Sequence, residues 1–413
     1  MRARILVLSI ALLGVMGSCS EPKNTFSDGD WLGILNIDTE DPSLQVPFNM
    51  RHYTDAKGVE RVEVINADEV ITVTEIGRLG DTIFMRMPVF TSEFYFTVRN
   101  DSLVGTYYPK GKSMGNGYEF YGVKGETNRF PWATDAPVGN VGGRWEMVEN
   151  PGQPDSSVMI GEFTQNEGVV TGSVLSPGGD MRYLQGVLSG SKFMLSGVDG
   201  AHTVVFTATL SADGQLVDGR FLGSPRWRST WTATRNDTIT LPQSDELVRV
   251  KLGSEPFTFA LPNSTGDTIS LNDDEFKGKV VIVSASGSWC PNCMDETRLF
   301  AEFYNKYSDK GLRVVALCFE SNDREASFRS INRFKEQTGA TYPFLYAGAR
   351  GKENRDSILY VLEGQMAYPT SIIIDKSGKI RSVHTGFSGP GTGVHYTEYV
   401  DKTTKLIEAL LAE

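Results

Sequence analysis

Between residues 31 and 240, apolar and polar positions alternate in short runs: EVITVTEI (69–76), TIFMRMPV (82–89), SEFYFTVR (92–99) and HTVVFTAT (202–209). A period of two places one face of an extended strand on a core and the other toward solvent. Turn-forming clusters separate the runs, among them RND (99–101), PGGD (177–180), VDG (198–200) and ADG (212–214). Many short strands at such spacing predict an all-β meander or barrel-like region. No amphipathic helical stretch stands out before residue 290.

A weak internal repeat runs through this region. FYFTVRNDSLVGTYY (94–108) is similar to VVFTATLSADGQLVDGRFL (204–222): a Phe-Thr strand, a polar turn, then Leu-Val, Gly and an aromatic residue. Trp31 and Trp145 stand near the start of each half. The repeat divides residues 31–240 into two related units, 31–125 and 144–235, built either as two small barrels or as one larger sheet.

After a connection at 241–256 the pattern changes. KVVIVSAS (279–286) is a continuous apolar run, the mark of a strand buried on both faces. The segment after it carries Leu299, Phe300, Phe303, Tyr304 and Tyr307 at helical spacing, with Gly311 beyond. Then come a strand (312–319), a helix (324–339), a further helical stretch (353–363), strands at 370–375 and 379–386, and a last helix over 396–411. The order, β-α-β-α-β-β-α apart from the helical stretch at 353–363, predicts an α/β domain over 257–413, so the chain reads as multidomain.

Composition narrows the function. The 413 residues carry 40% hydrophobic and 22% charged side chains, as in ordinary globular domains. The formal net charge of -11 argues against nucleic acid, whose phosphates require a basic footprint. At the N-terminus, Arg2 and Arg4 precede the apolar run ILVLSIALLGVM, followed by Gly17, Ser18 and Cys19. The run is short for a membrane span, and the arrangement reads as a secretory signal over 1–18. A cysteine directly after two small residues resembles a bacterial lipobox. That implies lipidation of Cys19, a polar tether over 19–30, and a periplasmic or cell-envelope protein anchored to a bacterial membrane by lipid.

The remaining cysteines are Cys290, Cys293 and Cys318. In a compartment where disulfides persist, one close CxxC is a poor staple, because the loop it closes is tiny. A zinc site would need two further ligands, and His52, His202, His384 and His395 lack ligand-like spacing, so no metal and no cofactor is expected. The pair lies where the apolar strand meets its helix. There the unpaired N–H groups of the helix N-terminus favour a thiolate at Cys290, and Pro291 fits the first turn. Cys293, one turn on, is within disulfide reach. A structural disulfide and a redox pair both fit these residues, and position favours redox chemistry. Cys318, in an apolar strand, reads as a buried core thiol.

VVIVSASGSWCPNCMDE together with YPTSIIIDKSGKI resembles the thioredoxin superfamily, and within it the TlpA/ResA-like thiol-disulfide oxidoreductases. The resemblance covers about residues 250–413. It implies a thioredoxin fold with Cys290 as nucleophile and Cys293 as resolving cysteine. Pro369 becomes the cis-proline facing the disulfide, and Tyr368 offers backbone hydrogen bonds to an extended substrate. Trp289 shields the disulfide and, with Pro291, borders the substrate. Glu296 stands where such proteins carry an acid that moves protons at the resolving thiol. Ser284 replaces the buried aspartate of thioredoxin itself, and Asp295, about 100° round the helix from Glu296, is expected in solvent.

The activity implied is reduction of disulfides in exported proteins, with electrons from a membrane thiol donor. Oxidant or isomerase action is the alternative direction. The reading from another class is a redox-sensing or envelope-binding module whose β-rich region binds a ligand or partner.

Overall fold

The computed structural model describes residues 25–38, 41, 44–110, 116–254 and 256–413. The signal-like segment and Cys19 lie outside the described residues.

The β-rich region forms two nine-stranded antiparallel sheets. In the first, the strand Gly29–Asn36 pairs with both Val46–Thr54 and the final strand Tyr118–Lys124, so the sheet curls round on itself. Its two ends are Glu69–Val73 and Glu75–Leu79, consecutive in the chain, so the run 69–76 is broken at Thr74 and serves both edges. In the second, Gly143–Glu149 pairs with Ser157–Asn166 and with the final strand Trp227–Arg235, and pairing of Ser157–Asn166 with Val169–Ser176 completes the ring. Each barrel-like sheet is filled by its alternating inward residues: Trp31, Phe48, Phe94 and Phe120 in one, Trp145, Phe193, Phe206 and Trp231 in the other.

The two tryptophans occupy like positions. Trp31 Nε1 donates to the carbonyl of Ser27 (3.2 Å) and Trp145 Nε1 to that of Val141 (2.8 Å), each four residues back. The segments 94–108 and 204–222 are, in both sheets, the strand pair next to the final strand. The sheets pack side by side, with Val198, Val205 and Leu222 of the second joining the core of the first. Arg129 is buried at this junction, donating to Ser196 O (2.9 Å) and Asn49 Oδ1 (3.1 Å).

The C-terminal region is a five-stranded sheet with Val280–Ser286 at its centre. This strand runs parallel to Leu312–Glu320 and antiparallel to Thr370–Ile374. The edges are Phe344–Ala349 and Ile380–Thr385, and the helices Pro291–Tyr307, Arg324–Thr338 and Val394–Ala412 accompany the sheet. All residues of the central strand are buried, which accounts for its run of apolar and small residues.

Three details differ from the sequence pattern. Phe344–Ala349 is an additional strand. The helical stretch expected at 353–363 is a short helix, Lys352–Ile358, followed by the strand Leu362–Gly364. The connection at 241–256 is structured: Val248–Val250 pairs with Leu362–Gly364, and Ser244 Oγ accepts from Thr385 N–H at 2.6 Å.

Both barrels touch the C-terminal domain. Arg333 donates to Glu75 (2.5 Å) and to the Met87 carbonyl (3.0 Å), Val89 and Phe90 enter the core around its helices, and His395 meets Glu162 at 3.0 Å. Among the described residues, no helix is long and apolar enough to cross a membrane.

Candidate redox site

The central strand ends at Ser286, and a four-residue turn delivers the chain to the helix Pro291–Tyr307. Cys290 is the N-cap of that helix, with extended backbone (φ -108°, ψ 114°), and Pro291 opens the first turn, where its missing N–H leaves nothing unsatisfied. The cap is made by sulfur: Cys290 Sγ accepts the backbone N–H of Cys293 at 3.1 Å. The two cysteines are joined as a disulfide with their Cα atoms 5.2 Å apart. A thiolate released at Cys290 would meet the same N–H and the positive end of the helix dipole.

The Tyr368–Pro369 bond is cis, and the Tyr368 carbonyl lies 3.6 Å from Cys290 Sγ. Trp289 is anchored through its Nε1, which donates to the Phe319 carbonyl at 2.8 Å. Its ring meets the Tyr368 ring edge-on at 5.4 Å, and the Arg350 guanidinium lies 5.0 Å above it. Burial pushes the Tyr368 hydroxyl up to about 12. Cys290 itself is only 5% exposed, so the sulfur is met through a narrow approach.

Glu296 lies one helical turn beyond Cys293 and is 1% exposed, more deeply placed than its helix position alone implies. Burial raises its pKa to about 8, against hydrogen bonds from Ser284 and Ser371 that pull it down. Ser284 Oγ donates to Glu296 Oε2 at 2.6 Å. The serine therefore supports the acid that comes from the neighbouring helix. A carboxyl held near neutrality beside a dithiol pair can take up or release a proton within the physiological range.

Asp295 is not in solvent, contrary to expectation. It is buried, and it pairs with Arg182 from the β-rich region. The helix face that the pattern assigned to water is covered by another part of the chain. Arg182 also contacts Glu69 and, at 3.3 Å, Asp199. Burial alone would lower the pKa of Arg182, but Asp295, Glu69 and Asp199 outweigh it and raise it well above the ordinary arginine value.

A further buried acid carries no signal in the local sequence. Glu320 accepts from Ser288 N–H at 2.7 Å and from Ser288 Oγ at 2.9 Å, and burial brings it up to about 7. The signal was the register: the parallel pair matches Ser286 with Cys318, and carrying that offset two residues on sets Ser288 beside Glu320. Cys318 is 2% exposed, and burial holds its thiol well above the usual range.

A parallel-centred sheet with an α/β surround, a disulfide at the first turn of the helix after the central strand, and a cis-proline opposite it define a thioredoxin-fold disulfide-exchange protein. Sequence comparison with known proteins agrees. Residues 251–400 match the Redoxin family. The thiol-disulfide oxidoreductase ResA of Bacillus thuringiensis subsp. konkukian is 30% identical over 156 residues, which are 38% of this chain and 80% of that protein. The thioredoxin-like protein YneN of Bacillus subtilis is 31% identical over 143 residues, 35% of this chain and 76% of its own. A crystal structure of a thiol:disulfide interchange protein from Chlorobium tepidum aligns at 20% identity and a TM-score of 0.29, covering 38% of this chain and 98% of that one. Through its C-terminal domain the chain belongs to the ResA-like thiol-disulfide oxidoreductases. The β-rich region precedes the residues matched to the family.

Proposed function

We propose that this oxidoreductase is an exported, lipid-anchored reductase of protein disulfides, working through Cys290 and Cys293. The observation that carries the reading is the Cys290–Cys293 disulfide at the helix N-terminus, with the fully buried Glu296 one turn behind it. In the reduced protein, the Cys290 thiolate attacks one sulfur of a substrate disulfide. The substrate S–S bond breaks, a mixed disulfide forms, and the departing thiolate takes a proton. With Glu296 in its ionised form, Cys293 gives its proton to the carboxylate and attacks Cys290 Sγ; the Cys290–substrate bond breaks, the second substrate thiolate leaves and takes up a proton, and Glu296 returns its own to solvent. The dithiol is oxidised by two electrons, the substrate disulfide is reduced, and the two protons end on the product thiols. The Tyr368 carbonyl, beside the sulfur, and the Trp289 ring border the substrate chain, with Pro369 and Pro291 shaping the approach.

Export rests on the sequence before residue 20, with Cys19 as the lipid-bearing residue and the cell envelope as the location. A membrane thiol donor would then restore the dithiol. The test is insulin reduction by the full chain with dithiothreitol as donor. Wild type accelerates it and Cys290→Ser does not; equal rates would overturn the assignment.

A second reading, a redox-sensing or envelope-binding module, is favoured by a cleft of about 750 Å³ between the second barrel, residues 239–250 and the last helix, lined in part by Arg144, Pro242, His384, Tyr399 and Lys402. Function retained by Cys290→Ser in cells would select it.

A further inference from the structure

The first turn of the active-site helix is held by a loop of the β-rich region. Asp180 Oδ2 accepts the Gly389 N–H at 2.7 Å and the side-chain amide of Asn292 at 3.4 Å. Asn292 stands between the two cysteines, and its amide also donates to the Phe387 carbonyl at 2.9 Å. Gly179 permits the approach: its φ is +140°, and a Cβ there would lie 2.2 Å from Asn292 Nδ2. Two residues after Asp180, Arg182 faces Asp295, Glu69 and Asp199. At the margin are the Arg298 guanidinium, 3.8 Å from Asp295 and half exposed, and the His202 imidazole, 3.2 Å from Asp199. Among the described residues, the carboxylates of Asp180, Asp199, Asp295 and the partly buried Glu69 thus outnumber the buried Arg182 guanidinium that faces them.

We propose that Asp180 is a positioning residue of the redox centre, supplied by the β-rich region: it fixes Asn292 between the cysteines, and its carboxylate disfavours the Cys290 thiolate, biasing the pair toward donating electrons. The inference rests on the reading of Cys290 and Cys293 as the redox pair and gives that reading a direction. Whatever stabilises the thiolate of a reduced pair makes its disulfide a stronger oxidant, and the helix N-terminus acts in that sense. A carboxylate at the same turn acts against it. Burial raises Asp180 to about 6, which leaves it ionised above neutrality.

The experiment is the dithiothreitol equilibrium of the full chain at fixed pH for wild type, Asp180→Asn and Asp180→Ser. Both variants should shift the equilibrium constant toward the dithiol by about threefold to tenfold, tenfold being ~30 mV for two electrons. Alkylation of reduced Cys290 should become faster below its thiol pKa. Should neither variant fold, the wild type decides by itself. Relative to a free thiol, its Cys290 should disfavour iodoacetate against iodoacetamide severalfold, even in salt that screens the chain's overall charge. No change in the constant, a shift the other way, or a reagent ratio equal to that of a free thiol overturns the proposal. A wild type with no dithiothreitol-reversible couple overturns the redox reading as well, so the two failures are distinct.

Discussion

The Ser284 hydroxyl lies 2.6 Å from Oε2 of Glu296, joining the central strand to the active-site helix inside the domain, with both side chains buried. Neither residue can exchange its partner for water without opening the core, so the proton affinity of the carboxyl is set by the protein. The folded pKa of about 8 lies above the ordinary glutamate value of 4.5. The native chain therefore holds a proton that the unfolded chain has lost between those values, and stability falls as pH rises through that window.

Replacing Glu296 by Gln keeps the shape and removes the titration. Urea unfolding of Glu296→Gln should vary less between about pH 5 and about pH 9 than that of wild type. Turnover near neutrality should drop on the order of a hundredfold with a flattened pH–rate profile. Ser284→Ala removes a bond that pulls the pKa down, so its profile should move to higher pH. An unchanged profile in both variants would assign the proton transfer to water.

Arg182→Met fills the guanidinium's volume but leaves Asp295, Glu69 and Asp199 buried without their cation. Breaking a buried pair from one side typically costs about 3–5 kcal/mol. The variant should lose stability of that order in denaturant unfolding, and the β-rich region should become more accessible to proteolysis near residues 176–183. Wild-type stability in Arg182→Met would mean the cluster is wet and weak.

Cys318 should be inert. Its burial and raised thiol pKa predict no labelling by iodoacetamide in the native reduced protein and full labelling after denaturation. Cys318→Ala should keep disulfide reductase activity within about twofold while lowering stability by on the order of 1 kcal/mol for the small cavity left. Native labelling at Cys318 would contradict the assignment.

The redox domain was readable from sequence because its signals are local. An unbroken apolar run, a CxxC and a helical stripe follow one another in the chain, and Tyr368–Pro369 precedes a second apolar strand. The barrels were readable as alternating strands, since inward residues such as Phe94 and Phe206 recur with period two. What eluded it depends on distant partners. Asp295 pairs with a residue 113 positions away in another sheet, and helical periodicity assigns its face to solvent because it sees only the helix. Nothing in the local sequence marks Asn292, yet its amide is bound by Asp180, 112 positions away. The break at Thr74 shows in the sequence only as a slip of phase, apolar at 71 and 73 and then at 76, too short a signal to reveal that the chain there changes edges of the sheet.

The most direct test of the account is the sulfur that forms the mixed disulfide. Full-length Cys293→Ser, exposed to oxidised substrate protein and quenched with alkylating reagent, should accumulate a covalent adduct located at Cys290 by mass spectrometry, reversible by dithiothreitol. Cys290→Ser should form none. An adduct through Cys293 in Cys290→Ser with none in Cys293→Ser would contradict it.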